Sequence, residues 1–193
     1  MVSQHRNAGI PEERILDAAY DLVLAVGMRR MNMADLARAA GVSRATLYRR
    51  FPNVAAVVGA LTTRELGVLA AQAFGRSGAD ARSSVVSGVV AMVQAVRAHP
   101  LTKKIIAVDP EFLLPYLLER RGTSTDAQLG LLAQALRNTD GSIRRGNRTA
   151  QARAVWLAAW SFALTGPVLA DDSVGLGALD NQLRAMLDRY LAP

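Results

Sequence analysis

The chain has 193 residues, 51% of them hydrophobic and 20% charged, with 23 basic residues against 16 acidic and a formal net charge of +7. So much apolar material excludes a chain disordered throughout and is enough to bury a core, as one domain or two small ones. There is no cysteine and there are only two histidines, His5 and His99, which excludes a disulfide framework, a thiolate metal site, a cysteine nucleophile and a histidine-rich metal cage. The basic surplus, carried by arginine except at Lys103 and Lys104, favours a polyanionic partner, either nucleic acid or an anionic membrane.

The opening residues, MVSQHRN, are not followed by the apolar stretch of a secretory signal, so a soluble, cytoplasmic protein is expected. Two uncharged runs, residues 83–96 and 154–170, fall short of the roughly 20 apolar residues that a spanning helix needs. They are expected to be buried core or interface helices, with no membrane partner.

In chain order the pattern is all-α, about nine helices. After Pro11, residues Ile15, Leu16, Ala19, Leu22, Val23 and Val26 recur at steps of three and four, which predicts an amphipathic helix that Gly27 ends. Asn32 is the expected N-cap of a second helix, with Asp35 near its positive end; Leu36, Ala37 and Ala40 form its apolar face and Gly41 closes it. Ser43 caps a third, very short helix over 44–50, stopped at Phe51 because the residue before a proline is pushed out of helical geometry. Asn53 caps a long fourth helix reaching about Phe74, and GRSGAD over 75–80 is a loop and the clearest compositional break. A Val- and Ala-rich helix over 81–99 ends at Pro100, where His99 is expected to cap a helix end. A short helix covers 101–108. Asp109 reads as an N-cap before Pro110, and Pro115 should kink or break the helix there. Further helices cover 125–137, 150–164 and about 176–191, with a turn at 138–141.

The informative stretch is residues 31–52, MNMADLARAAGVSRATLYRRFP. Ala37 is small where two helices must approach, Gly41 four residues later suits a positive φ, and Val42 and Leu47 plug the core. That is the spacing of a helix-turn-helix. Within the third helix only Leu47 has an inward role. Arg44, Ala45, Thr46, Tyr48, Arg49 and Arg50 are left to form a polar surface small enough for a major groove. From Gly27 to Arg50 there are six arginines and one acid, Asp35. A basic solvated face is the bland alternative for any such charge run. Here caps, glycine spacing, leucine plug and charge coincide.

At these residues the chain resembles the TetR family of bacterial one-component regulators. The likeness runs over ILDAAYDLVLAVGM and then MADLARAAGVSRATLYRRFPN, and its most specific part is LYRRFPN. The resemblance implies an all-α homodimer: a DNA-binding head over 1–52, a connecting helix over 53–74, and an effector-binding and dimerisation domain over 75–193. It implies that Arg44, Ala45 and Thr46 start the recognition helix. Arg44 is then placed for a guanine or, equally, for a phosphate. Ala45 is placed for a thymine methyl or is a plain helix former. The family's Leu-Tyr pair implies that Tyr48 bonds a phosphate, the alternative being packing on the first helix. Asn32 and Ser43 cap helices and stand near phosphates, and Arg49 and Arg50 add sequence-independent attraction. Arg6 lies in a short N-terminal arm. One position departs from the family: Val54 stands where a phosphate-contacting lysine is common.

Downstream the resemblance is one of architecture. The family places a mostly apolar pocket among such helices, so Met92, Phe112, Tyr116, Trp156 and Trp160 are the candidate lining of an effector site, each with plain core packing as its alternative. The last two helices look too apolar for a free surface, and the family pairs them across a two-fold axis. An enzyme is not expected. There is no His-Glu-x-x-His, Gly-x-Ser-x-Gly or Gly-Lys-Ser/Thr, and the adjacent carboxylates Glu12–Glu13 and Asp171–Asp172 diverge on a helix. No catalytic residue, metal or cofactor is assigned. The expected function is a sequence-specific transcriptional regulator, a repressor released from a palindromic operator in double-stranded DNA by a small, mostly hydrophobic effector. The competing reading is a helical membrane-surface or structural protein without DNA binding.

Overall fold

A computed structural model of the chain describes residues 12–75, 78–119, 121–137 and 140–193. Arg6, Pro11 and the Asn138–Thr139 half of the expected turn lie outside them. Among the described residues there is no strand. Nine helices among them have seven residues or more: α1 (Glu12–Val26), α2 (Met33–Ala39), α3 (Arg44–Arg50), α4 (Val54–Phe74), α5 (Ala81–Ala98), α6 (Pro100–Val108), α8 (Thr123–Ala135), α9 (Arg148–Leu164) and α11 (Leu176–Leu191). Proline sits in each of the short pieces between them: a 3₁₀ turn (Pro110–Leu113), α7 (Leu114–Leu118) and α10 (Gly166–Leu169).

The first three helices form as their local chemistry dictates. Asn32, Ser43 and Asn53 each turn a side-chain oxygen onto the backbone N–H three residues on, at Asp35, Thr46 and Ala56. Gly27 and Gly41 both adopt positive φ, +83° and +64°. Of the apolar face expected on α1, Ile15, Leu16, Ala19 and Val23 are buried, whereas Val26 lies at the rim and is exposed.

Two hydrophobic cores result. The first joins α1, α2 and Leu47 of α3 to Val57, Val58 and Leu61 at the start of α4 and to Leu101 and Ile105 of α6. The second is built around α5, with Val85, Val86, Val89, Val90, Val93 and Val96 packed against Leu132 and Leu136, against Val155 of α9 and against Leu183, Leu187 and Leu191 of α11. Gly88 lets α5 close on Phe74, since a Cβ there would meet the Phe74 ring at 2.4 Å. A buried ion pair ties α5 to α11: Arg97 donates to Asp180 at 2.5 Å, and Gln94 donates to the same carboxylate at 2.9 Å.

The helix that runs between the two cores lies outside the uncharged stretches 83–96 and 154–170. α4 is, among the described residues, the one helix long and apolar enough on its own to cross a membrane. Its apolar residues are instead used on both sides, Val57, Val58 and Leu61 in the first core and Leu66 in the second. Two expected caps are also corrected. His99 and Asp109 stand at N-cap positions, but neither side chain makes the cap bond. Both reach across to other elements.

Candidate nucleic-acid interface and ligand cavities

On α3, Leu47 is 0% exposed and anchors the helix, while Arg44, Ala45, Tyr48, Arg49 and Arg50 are all exposed. The side that faces solvent is the side that carries charge. Thr46 is half-buried, with Oγ1 2.9 Å from Ser43 Oγ, so its hydroxyl is engaged in the cap. Tyr48 is 53% exposed. It shares a shallow hollow with Asn32, Asn53 and Val54, so the start of α2, the middle of α3 and the start of α4 meet on one face.

The arginines divide into two sets. Arg38 pairs with Asp35 at 2.6 Å, Arg50 is drawn back to Glu12 of α1, and Arg29 pairs with Glu111. Among the described residues Arg44 and Arg49 make no ion pair. The unneutralised charge of α3 is therefore concentrated on these two, and Arg50 is partly offset by Glu12. Asn32 is likewise occupied, accepting from the Asp35 backbone N–H at 2.9 Å and donating to its carboxylate at 2.7 Å.

The first helix is fastened to the rest of the molecule by polar links that sequence spacing does not reveal. Arg64 of α4 donates to Asp17 at 2.7 Å and to Glu13 at 3.1 Å, both on α1, and pairs with Glu65 beside it. Burial acts to lower the Arg64 pKa, but its bonds to Asp17, Glu65 and Glu13 together raise it. Glu65 Oε2 lies 3.4 Å from His99 Nε2, and the His99 ring meets Tyr20 of α1 edge-on at 6.2 Å. Asp109, buried at the end of α6, accepts the Met28 backbone N–H at 2.6 Å. Two residues on, the Glu111 carboxyl is held below its ordinary pKa by its own backbone N–H and by Arg29. The end of α1 is thus bonded to the start of the 3₁₀ turn.

Two cavities adjoin behind that turn. A narrow one of about 50 Å³ lies between α5, α8 and α9 and is walled by Phe74, Met92, Val93, Leu132 and the pair Trp156 and Trp160. A wider one of about 410 Å³ is bounded by Asn53, Gly59 and Thr62 of α4, Ile105 of α6, Phe112 and Leu113 of the 3₁₀ turn, and Arg121. Trp156 and Trp160 front both, with ring centroids 5.5 Å apart. Of the expected lining, Met92 therefore faces the narrow cavity and Phe112 the wide one, and the tryptophans stand between. The side chain of Tyr116 lies outside the described residues. Gln128 was not anticipated. Its Oε1 accepts from Trp156 Nε1 at 3.0 Å and from Trp160 Nε1 at 3.3 Å. A lone glutamine on a helix gives no periodic signal by which it might have been found.

The signature of bacterial regulatory proteins of the tetR family matches residues 15–61. The chain is 30% identical over 193 residues to an uncharacterized HTH-type transcriptional regulator of Mycobacterium bovis, covering 99% of this chain and 100% of that one. In fold it is similar to the TetR-family transcriptional repressor QsdR of R. erythropolis, with a TM-score of 0.70 at 17% identity over 94% of this chain and 96% of that one. It is also similar to the transcriptional regulator FadR of Bacillus subtilis, solved in complex with stearoyl-CoA, with a TM-score of 0.60 at 17% identity over 93% and 98% of the two chains.

Proposed function

The chain belongs to the TetR family of helix-turn-helix transcriptional regulators, and from that premise we propose that it is a homodimeric repressor of the cytoplasm, released from a palindromic operator by a small, mostly hydrophobic effector. In this reading residues 1–52 are the reading head, 53–74 the lever and 75–193 the effector-binding and dimerisation domain. The observation that carries it is the division of α3, whose single apolar anchor, Leu47, is wholly buried while Arg44 and Arg49 project without an ion pair among the described residues. A short helix held from behind and charged in front is the shape that enters a major groove.

Two heads on one dimer must reach successive major grooves, roughly 34–36 Å apart. The pairing surface is supplied by α9, α10 and α11, where Leu157, Val168, Leu169, Leu176 and Met186 are all exposed. Apolar side chains gathered on neighbouring helices favour a second copy over water. The adjoining cavities hold the effector, and the stearoyl-CoA held by a FadR of the same fold supports an apolar ligand. The wide cavity touches both α4 and the 3₁₀ turn, and the residues flanking that turn hold the end of α1. An effector that prefers a displaced turn and lever shifts the heads out of register. About 1–3 kcal/mol of coupling changes operator affinity 5–150-fold.

The test begins with fragments of the source genome selected for binding, then measures anisotropy of a labelled half-site against salt. Arg44→Ala is expected to cost about 1–3 kcal/mol and to relax preference at one position of each half-site. Tyr48→Phe is expected to weaken binding to all sequences alike. Operator binding unchanged in both variants would show that α3 is not the reading helix.

A further inference from the structure

We infer that the buried amide group of Gln128 donates to a carbonyl oxygen of the effector, so that the narrow cavity takes a hydrocarbon skeleton carrying a neutral ketone or ester rather than a plain hydrocarbon, an alcohol or an acid. The inference rests on the effector-cavity reading and adds to it the chemistry of the ligand.

A primary amide has one oxygen that accepts and one nitrogen that donates two hydrogens. The indole nitrogens of Trp156 and Trp160 can only donate, and both point at the same atom of Gln128. Turning the amide over would set donor against donor twice, so chemistry alone fixes which end faces the tryptophans. The other end, Nε2, is fully buried and has no hydrogen-bond partner. A donor left in that state is costly, and native interiors rarely tolerate one without a reason.

The cavity wall offers that donor almost nothing. Apart from Gln128 and the two indoles, the lining is alanine, valine, leucine, phenylalanine and Met92, whose thioether is a weak acceptor. The partner must therefore arrive with the ligand. An oxygen that only accepts meets the requirement. A hydroxyl would bring a donor of its own into a wall that supplies no acceptor for it. A carboxylate would be stripped of water with a single amide for compensation. A carbonyl within a hydrocarbon chain fits both the donor and the apolar wall. Because the tryptophans also front the wide cavity, the rest of such a molecule has room beyond them.

The chain has two tryptophans, Trp156 and Trp160, so their emission reports occupancy at this point. The full-length protein is titrated with methyl heptyl ketone, nonane and nonanol, which share nine carbons. The wild type is expected to favour the ketone over nonane about two- to tenfold more than a Gln128 variant does, the size of one net hydrogen bond, and to bind it more tightly than nonanol. Gln128→Glu keeps an acceptor for both indoles and loses the donor only once its buried carboxyl ionises, so its ketone-to-nonane ratio should fall between about pH 6 and about pH 10 while that of the wild type stays level. Gln128→Met removes the amide at similar volume and should lower the ratio too. A ketone-to-nonane ratio that neither substitution lowers overturns the inference while leaving the cavity as the ligand site. If none of the probes changes the emission of the wild type, the cavity reading falls and this inference with it.

Discussion

At Gly27 the backbone turns with φ +83°, and a Cβ there would lie 2.8 Å from Asp109 Oδ2, the atom that accepts the Met28 N–H. At Gly41 φ is +64°, but the nearest obstacle is the flexible guanidinium end of Arg14 at 3.1 Å. The two glycines were both legible as helix stops, and in sequence they look equivalent. Their surroundings separate them. Gly41→Ala should cost about 1 kcal/mol, the strain of a left-handed alanine. Gly27→Ala should cost roughly 3 kcal/mol, because it adds the loss of a buried bond to that strain. Urea unfolding of the two variants measures the difference, and equal costs would mean that Asp109 does not hold Met28. Asp109 was readable as a cap before a proline. That it serves a residue 81 positions earlier was not, because nothing local marks such a bond.

Helix ends show the same division one level up. The N-terminus of α5 was expected at residue 81, yet what satisfies it comes from two places. Asp80 accepts the Ser83 N–H at 2.7 Å, as a local cap does. Asp140 accepts the Ala81 N–H at 2.6 Å and Ser142 accepts that of Arg82 at 3.1 Å, both from the segment leading to α9. The Asp140 carboxyl is held below its ordinary value of 3.8 by the Ser142 hydroxyl and by the Ala81 and Ser142 backbone N–H groups, and that of Asp80 by Ser83. A carboxyl whose pKa is depressed on folding stabilises the fold above its unfolded pKa and ceases to do so as pH falls through the folded one. The urea midpoint should therefore be flat near neutrality and drop below about pH 4. Asp140→Asn should lower the neutral midpoint and make the acid drop shallower. An identical acid drop in wild type and variant would exclude Asp140 as a contributor. At the other end of the fold, α3 was legible in full, from Ser43 to Phe51, because its cap, its plug and its stop all lie within nine residues.

Across the whole molecule the exposed apolar side chains of α9, α10 and α11 set the assembly prediction. Leu157 is 64% exposed and Met186 is 53% exposed, on two helices whose other faces fill the second core. Replacing both with glutamate should convert a dimer to a monomer in sedimentation velocity and lower operator affinity at least about a hundredfold, since each head alone contacts only half of the site. A dimer that persists at micromolar concentration would place the interface elsewhere.

Residue order settled unaided much of what neighbours along the chain govern: the nine longer helices to within a few residues, the caps at Asn32, Ser43 and Asn53, the turns at Gly27 and Gly41 and the polar face of α3, though not the equally local caps Asp80 and Asn147. Those features come from helical periodicity and from bonds spanning three or four residues, so they can be read without knowing the fold. Packing decided the rest. It placed α4 across two cores, turned His99 and Asp109 from caps into links with α1 and the turn that follows it, split the expected effector lining between two cavities and left the amide nitrogen of Gln128 without a partner. Each of these depends on groups tens of residues apart coming within a few ångströms, and a hydrogen bond of that kind leaves no periodic trace in the chain that makes it.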